Sequence, residues 1–173
     1  MKKTGMQYWV GALLAAVLVG IDQLTKQLAQ KYLMDGPFVI WDGVFELHYS
    51  TNKGAAFGIL QDRRLFFILS TCIILAAVLY FYSRIPLSRK YLPLRAVCVT
   101  IIAGALGNFI DRLRLEYVID FLYFKLINFP VFNVADCYIT ISCVAFAILI
   151  FFWYKEEDLD LLWSSREKED AKI

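Results

Sequence analysis

Three long runs without a charged residue constrain this chain more than any other feature: Leu65 to Tyr82 (18 residues), Ala96 to Ile110 (15) and Cys137 to Tyr154 (18). Each approaches the roughly 20 residues that a bilayer-spanning helix needs. In 173 residues, 60% hydrophobic and only 20% charged, such runs do not fit a water-soluble domain. A fourth run, Tyr8 to Ile21, has 14 residues and spans only by continuing through Asp22, Gln23 and Lys26. That continuation sets a carboxylate at or near the membrane boundary. The sequence predicts an α-helical membrane protein of one domain, 1-173, with spans at 8-28, 65-82, 94-112 and 135-154 and outer segments at 31-64 and 113-134.

Lys2 and Lys3 ahead of an apolar run imitate a secretory leader, but no small-x-small cleavage pattern precedes a polar mature region. Further spans follow instead, so the run is read as a retained span. Cys72, Cys98, Cys137 and Cys143 lie within the spans or at their ends, with no metal-site spacing and no implied disulfide framework.

Charge sets the expected orientation. Arg84, Arg89, Lys90 and Arg95 crowd the linker between spans two and three, and no acid lies between Ser83 and Arg95. With four spans this linker shares a side with both termini, which carry Lys2, Lys3, Lys155, Arg166, Lys168 and Lys172. The positive-inside rule makes that side cytoplasmic, and the acids between Glu156 and Asp170 weigh little in it.

Alternating helix directions then bring polar residues together. Asp22 ends the first span, Asn108, Asp111 and Arg112 end the third, and Asn133 and Asp136 open the fourth. All reach the outer boundary, where the two longer connections add Asn52 and Asp120. These connections carry structure of their own. From Val44 to Tyr49, Phe45, Leu47 and Tyr49 alternate with Glu46 and His48, which predicts a short strand after a Trp41-Asp42-Gly43 turn, and Tyr117 to Phe121 is a second candidate. Trp41, Tyr117, Tyr123, Phe124, Phe129 and Phe132 suit a small sheet or short interfacial helix at headgroup level.

The residue inventory excludes several chemistries. With His48 as the one histidine there is neither an HExxH helix nor a Ser-His-Asp triad, and no G-x-S-x-G elbow or phosphate-binding loop is present. Carboxylates remain. Two of them close together in a poorly hydrated place share a proton, one acting as base toward water while the other polarises a carbonyl. Asp22, Asp111, Asp120 and Asp136 all qualify by position. Each also has a structural reading: Asp136 three residues after an Asn133 cap, Asp111 as an ion pair with Arg112, and Asp22 as a helical i,i+4 partner of Lys26. Asp120, inside Val118-Ile119-Asp120-Phe121-Leu122 with no basic neighbour, is the hardest to explain structurally.

Five ordered segments resemble the motifs of the lipoprotein signal peptidase (signal peptidase II) family: Asp22-Gln23-Leu24-Thr25-Lys26, Asn52-Lys53-Gly54-Ala55-Ala56-Phe57-Gly58, Gly104 to Arg112, Val118-Ile119-Asp120-Phe121 and Phe132-Asn133-Val134-Ala135-Asp136. One departure is Ala103-Gly104, where the family often has Gly-Gly. The resemblance implies a membrane aspartic endopeptidase with Asp120 and Asp136 as the catalytic pair. Asp22, Asn52, Gly54, Asn108, Asp111, Arg112 and Asn133 would support them or contact substrate. It implies diacylglyceryl-modified prolipoproteins as substrates, cleaved on the amino side of the lipidated cysteine without metal or organic cofactor. It also places the protein in the bacterial cytoplasmic membrane with its site at the outer face. Membrane lipids are expected partners, nucleic acid is not, and a monomer is expected. The competing class is a small proton-coupled transporter, whose acids should line a route through the bilayer rather than gather at one face.

Overall fold

The computed structural model of the chain describes residues 2–54 and 62–163. Ala55, Ala56, Phe57 and Gly58 of the second motif, and Arg166, Lys168 and Lys172 of the tail, lie outside them. Among the described residues four helices are long and apolar enough to cross a membrane. They are α1 (Lys2–Tyr32), α2 (Arg64–Arg84), α3 (Leu92–Arg114) and α4 (Val134–Ile148), the last continued by a π-helical turn over Leu149–Trp153.

α3 is the central helix, packing against α1, α2 and α4. It starts where Pro93, in the first turn, needs no intrahelical N–H partner. Its buried residues run from Leu94 to Asp111. Leu65, Phe66, Leu69 and Ile73 of α2 are exposed, as expected of side chains that face lipid. The α3–α4 contact depends on a missing side chain: a Cβ at Gly104 would lie 2.6 Å from the Ala135 carbonyl and 2.8 Å from Ile139. Neighbouring Ala103 is fully buried, so the methyl at this departure from the family pattern is accommodated.

At 1.5 Å per residue α1 is about 46 Å long, more than the ~30 Å hydrocarbon core requires. Its last turns carry a platform: Ala29, with Leu33 just beyond the helix, is buried against Ile119 and Phe121 of a three-stranded antiparallel sheet. The sheet has the order β1 (Phe38–Trp41), β2 (Phe45–Asn52), β3 (Val118–Phe124). β2 and β3 match the two anticipated strands; β1 was not anticipated. The turn after Trp41 includes Gly43 at φ +70°, a conformation that favours glycine. Helical structure in the outer segment after β3 is a single 3₁₀ turn, Lys125–Ile127, tied to the hairpin by Leu126 N–H donating to the Val44 carbonyl at 3.3 Å.

Two departures from simple alternation matter in β2. Glu46, expected on the polar face with His48, is buried, because the Lys125 ammonium reaches its carboxylate at 3.0 Å. His48 is exposed, near the Tyr123 ring. The second departure is a bulge. Leu47 pairs with Leu122 and Ser50 with Asp120, three steps along β2 against two along β3. One extra residue reverses the facing of everything beyond it. Asn52 is thereby turned to the side on which Asp120 lies.

At the opposite end of the bundle Tyr82, Ile85, Tyr91, Leu94, Cys98, Val99 and Tyr154 form a second core, closed by Leu162 of the short helix α5 (Glu156–Trp163). Tyr91 and Tyr154 stack at 5.3 Å, and Lys90 meets Asp158 at 2.6 Å.

Candidate active site

The site begins with the start of α4. Asn133 is fully buried and extended, and its side-chain oxygen accepts from Asp136 N–H at 3.0 Å while Asn133 N–H donates to Asp136 Oδ2 at 3.1 Å. This reciprocal capping box satisfies two backbone groups and is the structural role anticipated for the pair. It is only half of what Asn133 does. Its amide nitrogen donates to Asp120 Oδ1 at 2.6 Å and to Asn108 Oδ1 at 3.1 Å. One buried residue thus fixes the helix start and, through its main-chain N–H and its side-chain amide, the carboxylates of Asp136 and Asp120.

Asp120 is 2% exposed and accepts a second amide hydrogen bond, from Asn52 Nδ2 at 3.0 Å. Asn52 is itself oriented by Gly54 N–H, which donates to its Oδ1 at 2.9 Å. Burial pushes the Asp120 carboxyl up, the neighbouring Asp136 charge adds to this, and the two amides pull the other way, leaving it at about 7. Asp136 accepts from Asn108 Nδ2 at 2.8 Å. Both acids, with Asn52, Gly54, Asn108 and Arg112, line a cavity of about 500 Å³. The rest of its wall is Val118, the segment Phe129 to Phe132, and Cys137, Thr140 and Ile141 of α4. Ile141 is 67% exposed, so the cavity extends to the exposed apolar face of α4.

Behind the cavity lies a buried charge cluster. The Lys26 ammonium, 1% exposed, contacts Asp22 Oδ2, Asp111 Oδ2 and Asn108 Oδ1, each at 2.9 Å. Its three N–H donors therefore meet three acceptors. Asp22 Oδ1 accepts from Ala135 N–H at 2.9 Å, another free donor of the first turn of α4, and Asp111 accepts from Gln23 at 2.9 Å and from Ile119 N–H at 3.3 Å. Asp111 thus pairs with Lys26 rather than with Arg112, the partner its sequence neighbourhood suggested. The Arg112 guanidinium lies over the Phe67 ring at 4.7 Å and donates to the Gly54 carbonyl at 3.3 Å.

All nine candidate residues therefore belong to one connected region, but in two layers. Asn52, Gly54, Asn108, Arg112, Asp120 and Asp136 face the cavity; Asp22, Asp111 and Asn133 hold them from behind. Sequence reasoning left Lys26, read as the i,i+4 helical partner of Asp22, and Gln23 out of the site. Their presence in the Asp22-to-Lys26 motif was the available signal. Among the described residues no group of three or more His, Cys, Asp or Glu side chains could hold a metal ion.

The sequence matches the family model described as Signal peptidase (SPase) II over residues 14–152. The lipoprotein signal peptidase of Caldanaerobacter subterraneus subsp. tengcongensis is 42% identical over 141 residues, covering 80% of this chain and 94% of that protein. The lipoprotein signal peptidase of Streptococcus pyogenes serotype M1 is 40% identical over 145 residues, covering 82% and 91%. Two solved structures, described as bacterial membrane enzymes determined by the in meso method at 2.3 and 1.9 Å, are similar with TM-scores of 0.72. They are 32% and 33% identical, over 85% and 83% of this chain and 92% and 93% of theirs.

Proposed function

Since the chain belongs to the signal peptidase II family and is a multi-pass bacterial membrane peptidase of lipoprotein processing, we propose that Asp120 and Asp136 are its catalytic pair. The observation that carries this reading is Asn133, whose side-chain amide donates to the Asp120 carboxylate and whose main-chain N–H donates to the Asp136 carboxylate, so that one residue holds both acids at one cavity. Asp120, buried and raised to about 7, holds the shared proton. Asp136 then takes a proton from water as the oxygen attacks the scissile carbonyl, and Asp120 donates its proton to the carbonyl oxygen. Collapse of the tetrahedral intermediate breaks the C–N bond. The proton on Asp136 goes to the leaving amine, that of the lipidated cysteine, and the hydroxyl proton returns to Asp120. The cavity's reach to Ile141 supports a substrate whose diacylglyceryl chains stay in lipid while the peptide bond lies beside the acids. The density of Arg and Lys between Arg84 and Arg95 supports termini on the cytoplasmic side and a site at the outer face.

Single-turnover cleavage of a diacylglyceryl prolipoprotein by Asp120→Asn, Asp136→Asn and the double variant tests this. Losing acid-base help lowers the rate roughly 10²–10⁴-fold, and the double variant is little worse than either single one because the residues act as a unit. Near wild-type rates in either single variant, with unfolding temperature preserved, refute the assignment.

A further inference from the structure

We infer that Arg64 is a positioning residue for the peptidase reaction, acting through Arg112 from outside the cavity. Its location is electrostatically odd. Arg64 is the first residue of α2, follows Arg63, and sits in a first turn without an acid. A helix N-terminus is the end that repels cations.

The side chain resolves this by reaching to the next helix. Arg64 Nε donates to the Arg112 carbonyl at 2.8 Å and its terminal nitrogen donates to the Leu113 carbonyl at 2.9 Å. A third contact pairs it with Glu116. The carbonyls of a last helical turn lack intrahelical partners and form the negative end of the dipole, so one planar guanidinium caps two of them at once. Arg64 is therefore a C-terminal cap for α3 supplied by α2.

What it caps is the turn that carries Arg112, whose own guanidinium lines the cavity and holds the Gly54 carbonyl. Phe67, one turn along α2 from Arg64, lies beneath that guanidinium. The first turn of α2 thus holds Arg112 at both ends, its main chain through Arg64 and its side chain through Phe67. Releasing the main-chain hold moves the base of the Arg112 side chain without removing any cavity group. The inference rests on the proposed substrate-facing role of Arg112.

Steady-state cleavage of a lipidated prolipoprotein, with KM and kcat separated and unfolding temperature recorded, tests it. Arg64→Gln raises KM about tenfold with kcat within about twofold, since the loss falls on binding. Arg64→Lys keeps the charge but lacks the fork and recovers only part of KM. Glu116→Gln leaves KM unchanged. Arg112→Lys raises KM, and adding Arg64→Gln to it has little further effect. Should Arg64→Gln fold poorly, Arg64→Lys carries the same KM comparison. A lowered unfolding temperature with unchanged KM in the Arg64 variants, while Arg112→Lys raises KM, makes Arg64 a stability cap and overturns the inference alone. Unchanged KM in Arg112→Lys overturns both it and the substrate-facing role of Arg112.

Discussion

The Lys26 ammonium donates to Asn108 Oδ1 at 2.9 Å, and the amide nitrogen of the same Asn108 donates to Asp136 at 2.8 Å. A cation on α1 therefore sets which way the Asn108 amide faces, and through it what Asp136 receives. Because the same ammonium also pairs with Asp22 and Asp111, folding of the bundle and orientation of the site share one charge.

Removing that charge should be severe. Lys26→Met leaves two buried carboxylates uncompensated and should cost ~3–5 kcal/mol, while Asp22→Asn/Lys26→Met/Asp111→Asn should recover part of it. Thermal unfolding in lipid-like detergent measures both; a loss under about 1 kcal/mol for Lys26→Met would mean the cluster is not holding the helices.

The raised Asp120 carboxyl gives the reaction an alkaline limit. With the shared proton on Asp120, kcat/KM should fall above an apparent pKa of about 7, a value that belongs to the pair as a unit. The pH dependence of kcat/KM for one lipidated substrate, from pH 5 to 9, checks this; a profile flat through pH 9 would contradict it.

Stability carries the same signature with a definite sign. A carboxyl raised in the fold from 3.8 to about 7 makes a contribution that is fully present below pH 3.8 and is lost as pH rises through about 7. Asp120→Asn removes this term. The variant should therefore gain on wild type between pH 4 and 7, by up to ~4 kcal/mol at 1.36 kcal/mol per unit. Paired unfolding temperatures at pH 4.5, 6 and 7.5 should diverge in that direction; a constant difference would place no linked proton on Asp120.

Glycines separate contact from helix preference. Gly104→Ala sets a methyl against the Ala135 carbonyl, a backbone atom, and Gly107→Ala sets one against the Asp22 carboxylate. Overpacking of this kind costs about 1–3 kcal/mol. Gly20→Ala meets nothing within 4 Å and should leave the unfolding temperature unchanged or raised. Equal effects at all three positions would show that helix contact does not depend on these glycines.

Much of this was legible in the sequence because it rests on local signals. Uncharged runs mark the four helices, and Asn133 with Asp136 spells a capping box. Asp120 stands out as an acid among apolar residues. What escaped depends on partners distant in sequence. Lys26 looks like half of a local i,i+4 pair with Asp22 until Asp111, 85 residues on, closes its shell. Glu46 looks like a solvated strand residue until Lys125 arrives. β1, Phe38-Val39-Ile40-Trp41, has no polar alternation to reveal it, since all four residues are exposed together. Arg64 carries no helical pattern at all; its contacts are the last carbonyls of another helix.

The bulge in β2 makes the site sensitive to parity. The side on which Asn52 emerges depends only on whether the number of residues between Leu47 and Ser50 is odd or even relative to the facing strand. A deletion of one residue there would leave composition nearly untouched and turn the Asn52 amide away from Asp120, whereas a two-residue insertion, though larger, would keep it on the same side. Among homologous chains, length changes in this short stretch should therefore come in twos, a rule set by the geometry of a pleated ribbon and independent of which side chains occupy it.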